Sequence, residues 1–349
     1  MIRRRALLAG AAFAARPAAA QKYYPMGTKH LDLRFAGAAG VTLSGTLLLP
    51  TISELQRVPG VVLVAGSGPT DRDGNNRYLA EKIDLLKQIA ELLARNGIAT
   101  LRYDKRGIGA STPMPENNLA AQEQFWAWDH FVADVQAAHA ELLRHDEIKP
   151  YATALLGHSE GGLLSLAAAQ AMDQATGQAT GQATGKKAPY ALLLASTPGR
   201  PLRDIVHDQI TRNAPPFAAA ADRIMQTIVD TGHAPDDTPQ ELKLVFPDSV
   251  GAFLRRALTF DPARALEAID ASCLLVQGGA DTQVVPMGDI QPLVDALGRR
   301  SKSGEVTVFP MVSHNLKTVS GPSDPGFTGP IAPAVADKLA SWLKLVLGA

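Results

Sequence analysis

The chain has one cysteine in 349 residues, no surplus of charge of either sign and few aromatic residues. Each scarcity excludes something. A lone Cys273 permits no internal disulfide and no cysteine-based zinc site. It stands in the strand-like run 271–276, where a free thiol reads as core. Lysine plus arginine equals aspartate plus glutamate at 34 each, so no basic surface marks a nucleic-acid partner. The eight histidines are scattered, and no pair has the i, i+4 spacing of a helical metal motif, so no metal or cofactor site is expected. No apolar run approaches the ~20 residues of a membrane-spanning helix, so no stable membrane anchor is expected either.

The amino terminus is distinctive. Arg3-Arg4-Arg5, an apolar run over 6–15 and Ala18-Ala19-Ala20 follow the order of a basic region, a hydrophobic region and a small-residue cleavage site. Residues 1–20 therefore read as a cleavable signal peptide, cut after Ala20, on a protein exported to the periplasm or secreted. Arg4-Arg5-Ala6-Leu7-Leu8 also resembles a twin-arginine signal, with Arg3 where Ser or Thr is usual. Cleavage leaves 329 residues with 30 bases against 34 acids, a mildly acidic protein.

Beyond it, segments 30–35 and 41–49 flank a Gly-Ala turn and read as an antiparallel hairpin. Short apolar runs then alternate with helical patterns: strand 61–64, helix 79–96, strand 99–103, helix 122–144, strand 153–156, helix 161–172, strand 191–194. After a gap come strand 273–276, helix 290–297, strand 306–309 and helix 332–347. This alternation predicts an α/β fold with a mainly parallel sheet covered on both faces. Residues 199–270 interrupt it with a proline-punctuated helical segment, too long for an ordinary loop, which reads as a helical cap. The expected domains are a core of 21–198 and 271–349 with the cap inserted. Residues 174–185 repeat Gln-Ala-Thr-Gly three times, with too little apolar surface to offset ordering, and read as a flexible extension.

The chemistry centres on Gly157-His158-Ser159-Glu160-Gly161, set between an apolar strand and a Leu/Ala-rich helix. A serine hydroxyl is a poor nucleophile unless held exposed beside a base. A strand-turn-helix elbow does this, with Gly157 and Gly161 letting strand and helix approach. In this order of chain, an acid and then a histidine follow the serine. Asp281, after strand 273–276, and His314, after strand 306–309, occupy carboxyl ends of strands, where Ser159 also emerges. Asp289 is the runner-up acid. His158 reads as a structural or wall residue, His139 and His145 as solvated helix residues, and His207 and His233 as cap residues. The backbone N–H of Glu160, with that of Ser67 or Gly68, is the expected oxyanion hole. Asp71 to Asp73 and Asp104 to Arg106 read either as organisers of the site loops or as an ion-pair network.

These features resemble the α/β-hydrolase superfamily, and more narrowly bacterial esterases with a Gly-His-Ser-Glu-Gly-Gly elbow, grouped with serine aminopeptidase-like hydrolases. The resemblance covers nearly all of the chain after residue 20, including Gly66-Ser67-Gly68-Pro69, the block 102–111, Gln277 to Asp281 and Val312-Ser313-His314. Ala65 stands where the family often has His. The resemblance implies hydrolysis of small-molecule carboxylic esters through a Ser159–His314–Asp281 acyl-enzyme, without cofactor. Two alternatives remain from the sequence. One is a peptidase acting at a free amino terminus, anchored by Asp230, Asp236 or Asp237; the other is a catalytically silent binding protein.

Overall fold

The computed structural model describes residues 27–51, 57–177, 188–321 and 324–349. The signal sequence read at 1–20 lies outside them. Eight strands form one sheet in the order β1-β2-β4-β3-β5-β6-β7-β8. β1 (Thr28–Ala36) and β2 (Thr42–Pro50) make the amino-terminal hairpin, and β2 also runs antiparallel to β4 (Ala99–Tyr103). The rest are parallel: β3 (Val58–Val64), β5 (Ile148–His158), β6 (Ala191–Ala195), β7 (Ser272–Gly278) and β8 (Gly304–Phe309).

The central strands are buried on both faces, as their unbroken apolar runs require. Along β3, Val62 and Val64 enter one core while Val61 and Leu63 enter the other. β7 alternates likewise, with Cys273 and Leu275 facing one way and Leu274 and Val276 the other. Cys273 is thus a core residue, and burial pushes its thiol up to about 12. The first core lies under α3 (Trp128–Leu142), α4 (Glu160–Gly177), α8 (Pro262–Glu267) and α9 (Gln291–Arg299). The second lies under α1 (Leu85–Arg95) and α10 (Pro333–Leu347).

Three helices depart from expectation. α1 starts at Leu85, not near 79, because Asn75 and Asp84 exchange two hydrogen bonds (2.8 and 2.9 Å) and Asp84 is left-handed (φ 50°). The pattern at 122–144 is split into α2 (Leu119–Phe125) and α3, with Ala127 extended between them. The break lets Trp126 pack between Phe125 and Phe131 while Trp128 turns inward. α4 runs on to Gly177, so the first Gln-Ala-Thr-Gly copy, 174–177, continues the helix rather than leaving it; residues 178–185 lie outside the described set.

Between β6 and β7, α5 (Leu202–Asn213), α6 (Ala218–Thr231) and α7 (Gly251–Ala257) gather around a third apolar cluster that includes Ile210, Ile224, Met225, Ile228, Phe246 and Leu254. α8, next in the chain, packs instead against α4 and α9. Among the described residues, no helix is long and apolar enough to cross a membrane.

Candidate active site

Ser159 sits at the turn from β5 to α4 with φ 55°, a left-handed conformation that costs a non-glycine residue about 1–2 kcal/mol. Its surroundings hold it there. The Ser159 N–H donates to the Ala195 carbonyl (2.9 Å) and its carbonyl accepts from Gly162 N–H (2.9 Å). A Cβ on Gly161 would fall against the Val64 and Ala65 carbonyls, and one on Gly157 against the Gly161 backbone. Both glycines are therefore required by the close crossing of strand and helix, as the elbow pattern implied.

Asp281 and His314 are brought together from the loops after β7 and β8. His314 Nδ1 donates to Asp281 Oδ2 at 2.8 Å, and both residues are buried. The other carboxylate oxygen accepts the N–H groups of Gln283 (2.8 Å) and Val284 (2.9 Å), while Gln277 Nε2 shares Oδ2 at 2.9 Å. Burial by itself raises this carboxyl, but the His314 bond and the two backbone donors outweigh it, leaving the pKa below its ordinary value. Asp281 is thus held as an anion. Asp289 is not at His314. It accepts from Arg200 Nε (2.9 Å) and from the Val285 N–H (2.7 Å).

Ser159 and His314 share the walls of two cavities that meet at the elbow. One, of about 240 Å³, is bounded by Asn76, Leu79, Ile83, Leu86 and Phe327. The other, of about 190 Å³, lies against Trp128, Leu163, Leu202, Ile205 and Phe253. Ser67 lines both. No hydrogen bond joins Ser159 Oγ to a group among the described residues; in unliganded sites such bonds are often long and tighten with substrate. The Ser67 and Gly68 N–H groups have no acceptor among the described residues either, while the Ser67 carbonyl is held by Thr70 Oγ1 (2.8 Å) and that of Gly68 by Thr70 N–H (2.8 Å). Glu160 opens α4, where an unpaired backbone N–H points out of the helix start.

The other histidines sort by environment. His158 Nε2 donates to the His314 carbonyl (2.8 Å), which Ser196 Oγ also bonds (2.9 Å). Burial, with His314 alongside, pushes the His158 imidazole down to about 3, so it stays neutral and supports the loop of His314. His139, expected to be solvated on the helix before the elbow strand, is not. It is buried beneath β5 with Nε2 2.8 Å from Thr153 Oγ1, and burial pushes it down to about 4. His145 is partly covered, beside Glu141. In the helical segment, His207 pairs with Asp222 (2.7 Å) and His233 with Glu123 of α2 (2.8 Å).

Of the charged clusters, Arg72 bonds Asp104 through Nη2 (2.6 Å), Arg102 bonds Asp73 (2.9 Å), and Arg106 grips Asp134 by two nitrogens (2.8 and 2.9 Å). These are ion pairs that fix the loops after β3 and β4. Lys105 differs: its Nζ reaches the Gly66 carbonyl at 2.6 Å. Among the described residues, no cluster of three or more His, Cys, Asp or Glu is placed to hold a metal ion.

The model of the alpha/beta hydrolase family matches residues 61–325. Esterase EstD of Thermotoga maritima is 27% identical over 292 residues, 82% of this chain and 62% of that protein. A polyketide transferase of Stachybotrys chlorohalonatus is 28% identical over 193 residues, 55% of this chain and 52% of that one. The chain thus spans about three-fifths or less of the length of these curated relatives. Among solved structures, the alpha/beta hydrolase GrgF from Penicillium superposes with a TM-score of 0.57 at 18% identity, covering 92% of this chain and all of that one. Est1E of Butyrivibrio proteoclasticus, solved with ferulic acid, gives 0.56 at 16%, covering 91% and 100%. With the sheet order above, these likenesses identify the fold as that of the α/β hydrolases.

Proposed function

The chain belongs to the alpha/beta hydrolase family, and from that premise we propose that it is an exported serine hydrolase of small carboxylic esters. The observation that carries the reading is the Asp281–His314 pair lying with Ser159 at the junction of two cavities. Ser159 Oγ attacks the ester carbonyl carbon as His314 Nε2 takes its proton. Asp281 holds the imidazole with its proton on Nδ1 and stabilises the imidazolium. The N–H groups of Glu160 and of Ser67 or Gly68 receive the oxyanion. Collapse breaks the ester bond, with His314 returning the proton to the leaving alcohol. Water, deprotonated by the same histidine, then releases the acid from Ser159.

The two cavities give the acyl and alcohol portions separate berths of about 190 and 240 Å³ on either side of the serine, a size suited to short chains or a single ring. α5 to α7 of the 199–270 segment act as the cap, since Leu202, Ile205 and Phe253 close one berth. Asp230, Asp236 and Asp237 line neither cavity, which supports esters over peptides with a free amino terminus. Export rests on the sequence of residues 1–20 alone. The test is hydrolysis of p-nitrophenyl esters from acetate to palmitate, with Ser159→Ala as control. Activity should peak among the short acyl chains and fall roughly a million-fold in the variant. Near-normal turnover by Ser159→Ala, or none by the parent on any ester, refutes the reading.

A further inference from the structure

Lys105 is a buried lysine with few partners, an arrangement that needs a reason because an ammonium removed from water is costly. Its Nζ lies 2.6 Å from the Gly66 carbonyl oxygen and 3.5 Å from Glu160 Oε1. Burial lowers its pKa and Glu160 opposes that shift. Neither partner is arbitrary. The Gly66 carbonyl and the Ser67 N–H belong to one planar trans peptide, so they point in opposite directions. An ammonium anchored on the carbonyl therefore fixes the direction of the Ser67 N–H, which has no acceptor of its own among the described residues. Glu160, which pairs with the ammonium through its side chain, contributes the other expected donor through its backbone.

The loop is also pressed onto the elbow. A Cβ at Gly66 would sit 3.2 Å from His158 Nδ1 and 3.4 Å from the Ser159 Cβ, so only this short spacing separates the held peptide from the nucleophile.

We infer that Lys105 is a positioning residue for the oxyanion hole, clamping the Gly66–Ser67 peptide to Glu160 so that the two backbone donors keep a fixed separation and aim. The inference rests on the proposed ester hydrolysis. It extends it by assigning a function to a side chain that touches neither substrate nor the reacting atoms. A cation on the carbonyl also polarises the peptide, strengthening the opposed N–H as a donor to developing negative charge.

The experiment compares the parent with Lys105→Met on the p-nitrophenyl ester that the parent turns over fastest. It also measures inhibition by a trifluoromethyl ketone, whose hemiketal oxygen occupies the oxyanion position. Removing a donor outright lowers kcat by about 100- to 1,000-fold, so mis-aiming one should lower it by about 10- to 100-fold. KM should stay within about twofold, and the ketone Ki should rise in parallel with the fall in kcat. A folded Lys105→Met enzyme with kcat and Ki within about threefold of the parent overturns the inference, since loss of stability alone moves neither. Glu160→Gln keeps both backbone donors and the lysine, and does not depend on the first variant folding. Its amide cannot balance the ammonium, so kcat should fall by about three- to tenfold with KM fixed, and an unchanged kcat and Ki overturn the inference equally. A parent that hydrolyses no ester defeats the proposed function instead, so the two failures are distinct.

Discussion

Replacing Asp281 by Asn changes one atom, and the structure dictates which. Oδ1 accepts two backbone N–H groups, from Gln283 and Val284, and neither can reverse. The amide oxygen of Asn must take that place, which puts its NH₂ where Oδ2 faced His314 Nδ1 and Gln277 Nε2. Two donors then confront a donor. Gln277 can answer by turning its amide, whose buried oxygen has no partner among the described residues, although it then gives up bonds to Val284 (3.0 Å) and Gly278 (3.2 Å). His314 can answer only by baring Nδ1 and carrying its proton on Nε2. That tautomer presents a donor to Ser159 and cannot take its proton.

The expected loss in kcat is about 10⁴-fold, or roughly 5 kcal/mol of transition-state stabilisation, with KM little changed. Stability should fall by about 1–3 kcal/mol at neutral pH, because charge-assisted bonds are lost while a buried charge is also removed. Asp281 has a depressed folded-state pKa. Its contribution is therefore present above the unfolded value of about 3.9 and is lost as pH falls through the folded value, so parent and variant should converge in strong acid. Steady-state kinetics on a p-nitrophenyl ester and urea unfolding at several pH values make the test. An Asp281→Asn enzyme retaining a tenth of parental kcat would refute the tautomer argument, whereas Asp289→Asn should remain within about threefold of the parent.

Two further outcomes follow from burial and close packing. His139 is neutral in the fold at about 4 and titrates near 6.5 when unfolded, so acid favours the unfolded chain across that window. Between pH 6.5 and 4.5 the parent should lose about 2 kcal/mol more than His139→Gln in urea unfolding, and equal losses contradict the assignment. Gly161→Ala places a methyl 2.6 Å from the Ala65 carbonyl, inside contact distance, and should cost about 3 kcal/mol while disturbing the elbow. A melting curve within a degree of the parent's would show that the strand and helix are not held so closely.

The sheet was legible because its central strands are buried on both faces and read as short apolar runs, as from Val61 to Val64 and from Cys273 to Val276, while the edge strand β8 showed only the shorter stretch Val306 to Phe309. Chain order and strand ends sufficed to bring Asp281 and His314 to hydrogen-bonding distance. What periodicity could not show were boundaries set by side chains. α1 begins at Leu85 because an Asn75–Asp84 exchange precedes it, and the turn before α3 is made by the packing of Trp126. His139 misleads for a related reason: a histidine near the end of a helix reads as solvated, yet it faces β5 and finds Thr153. Lys105 was hidden between Asp104 and Arg106. Only the folded loop separates Asp104 and Arg106, whose ion pairs with Arg72 and Asp134 fix the loops, from Lys105, which reaches the Gly66 carbonyl and Glu160, although an Asp-Lys-Arg triplet just past a strand end was a signal that it faced the site. The supports of His314, His158 and Ser196 come from different strand ends, β5 and β6, and no local pattern joins them.

The central claim is that Ser159 is an activated nucleophile, and the most direct test is covalent labelling. The parent protein, Ser159→Ala and His314→Ala are each treated with a fluorophosphonate probe and digested for peptide mass mapping. The account predicts one phosphonylated site in the parent, on the peptide containing Ser159, with none in Ser159→Ala and labelling slowed by at least about 1,000-fold in His314→Ala. Labelling at another residue, or equal labelling without His314, contradicts it.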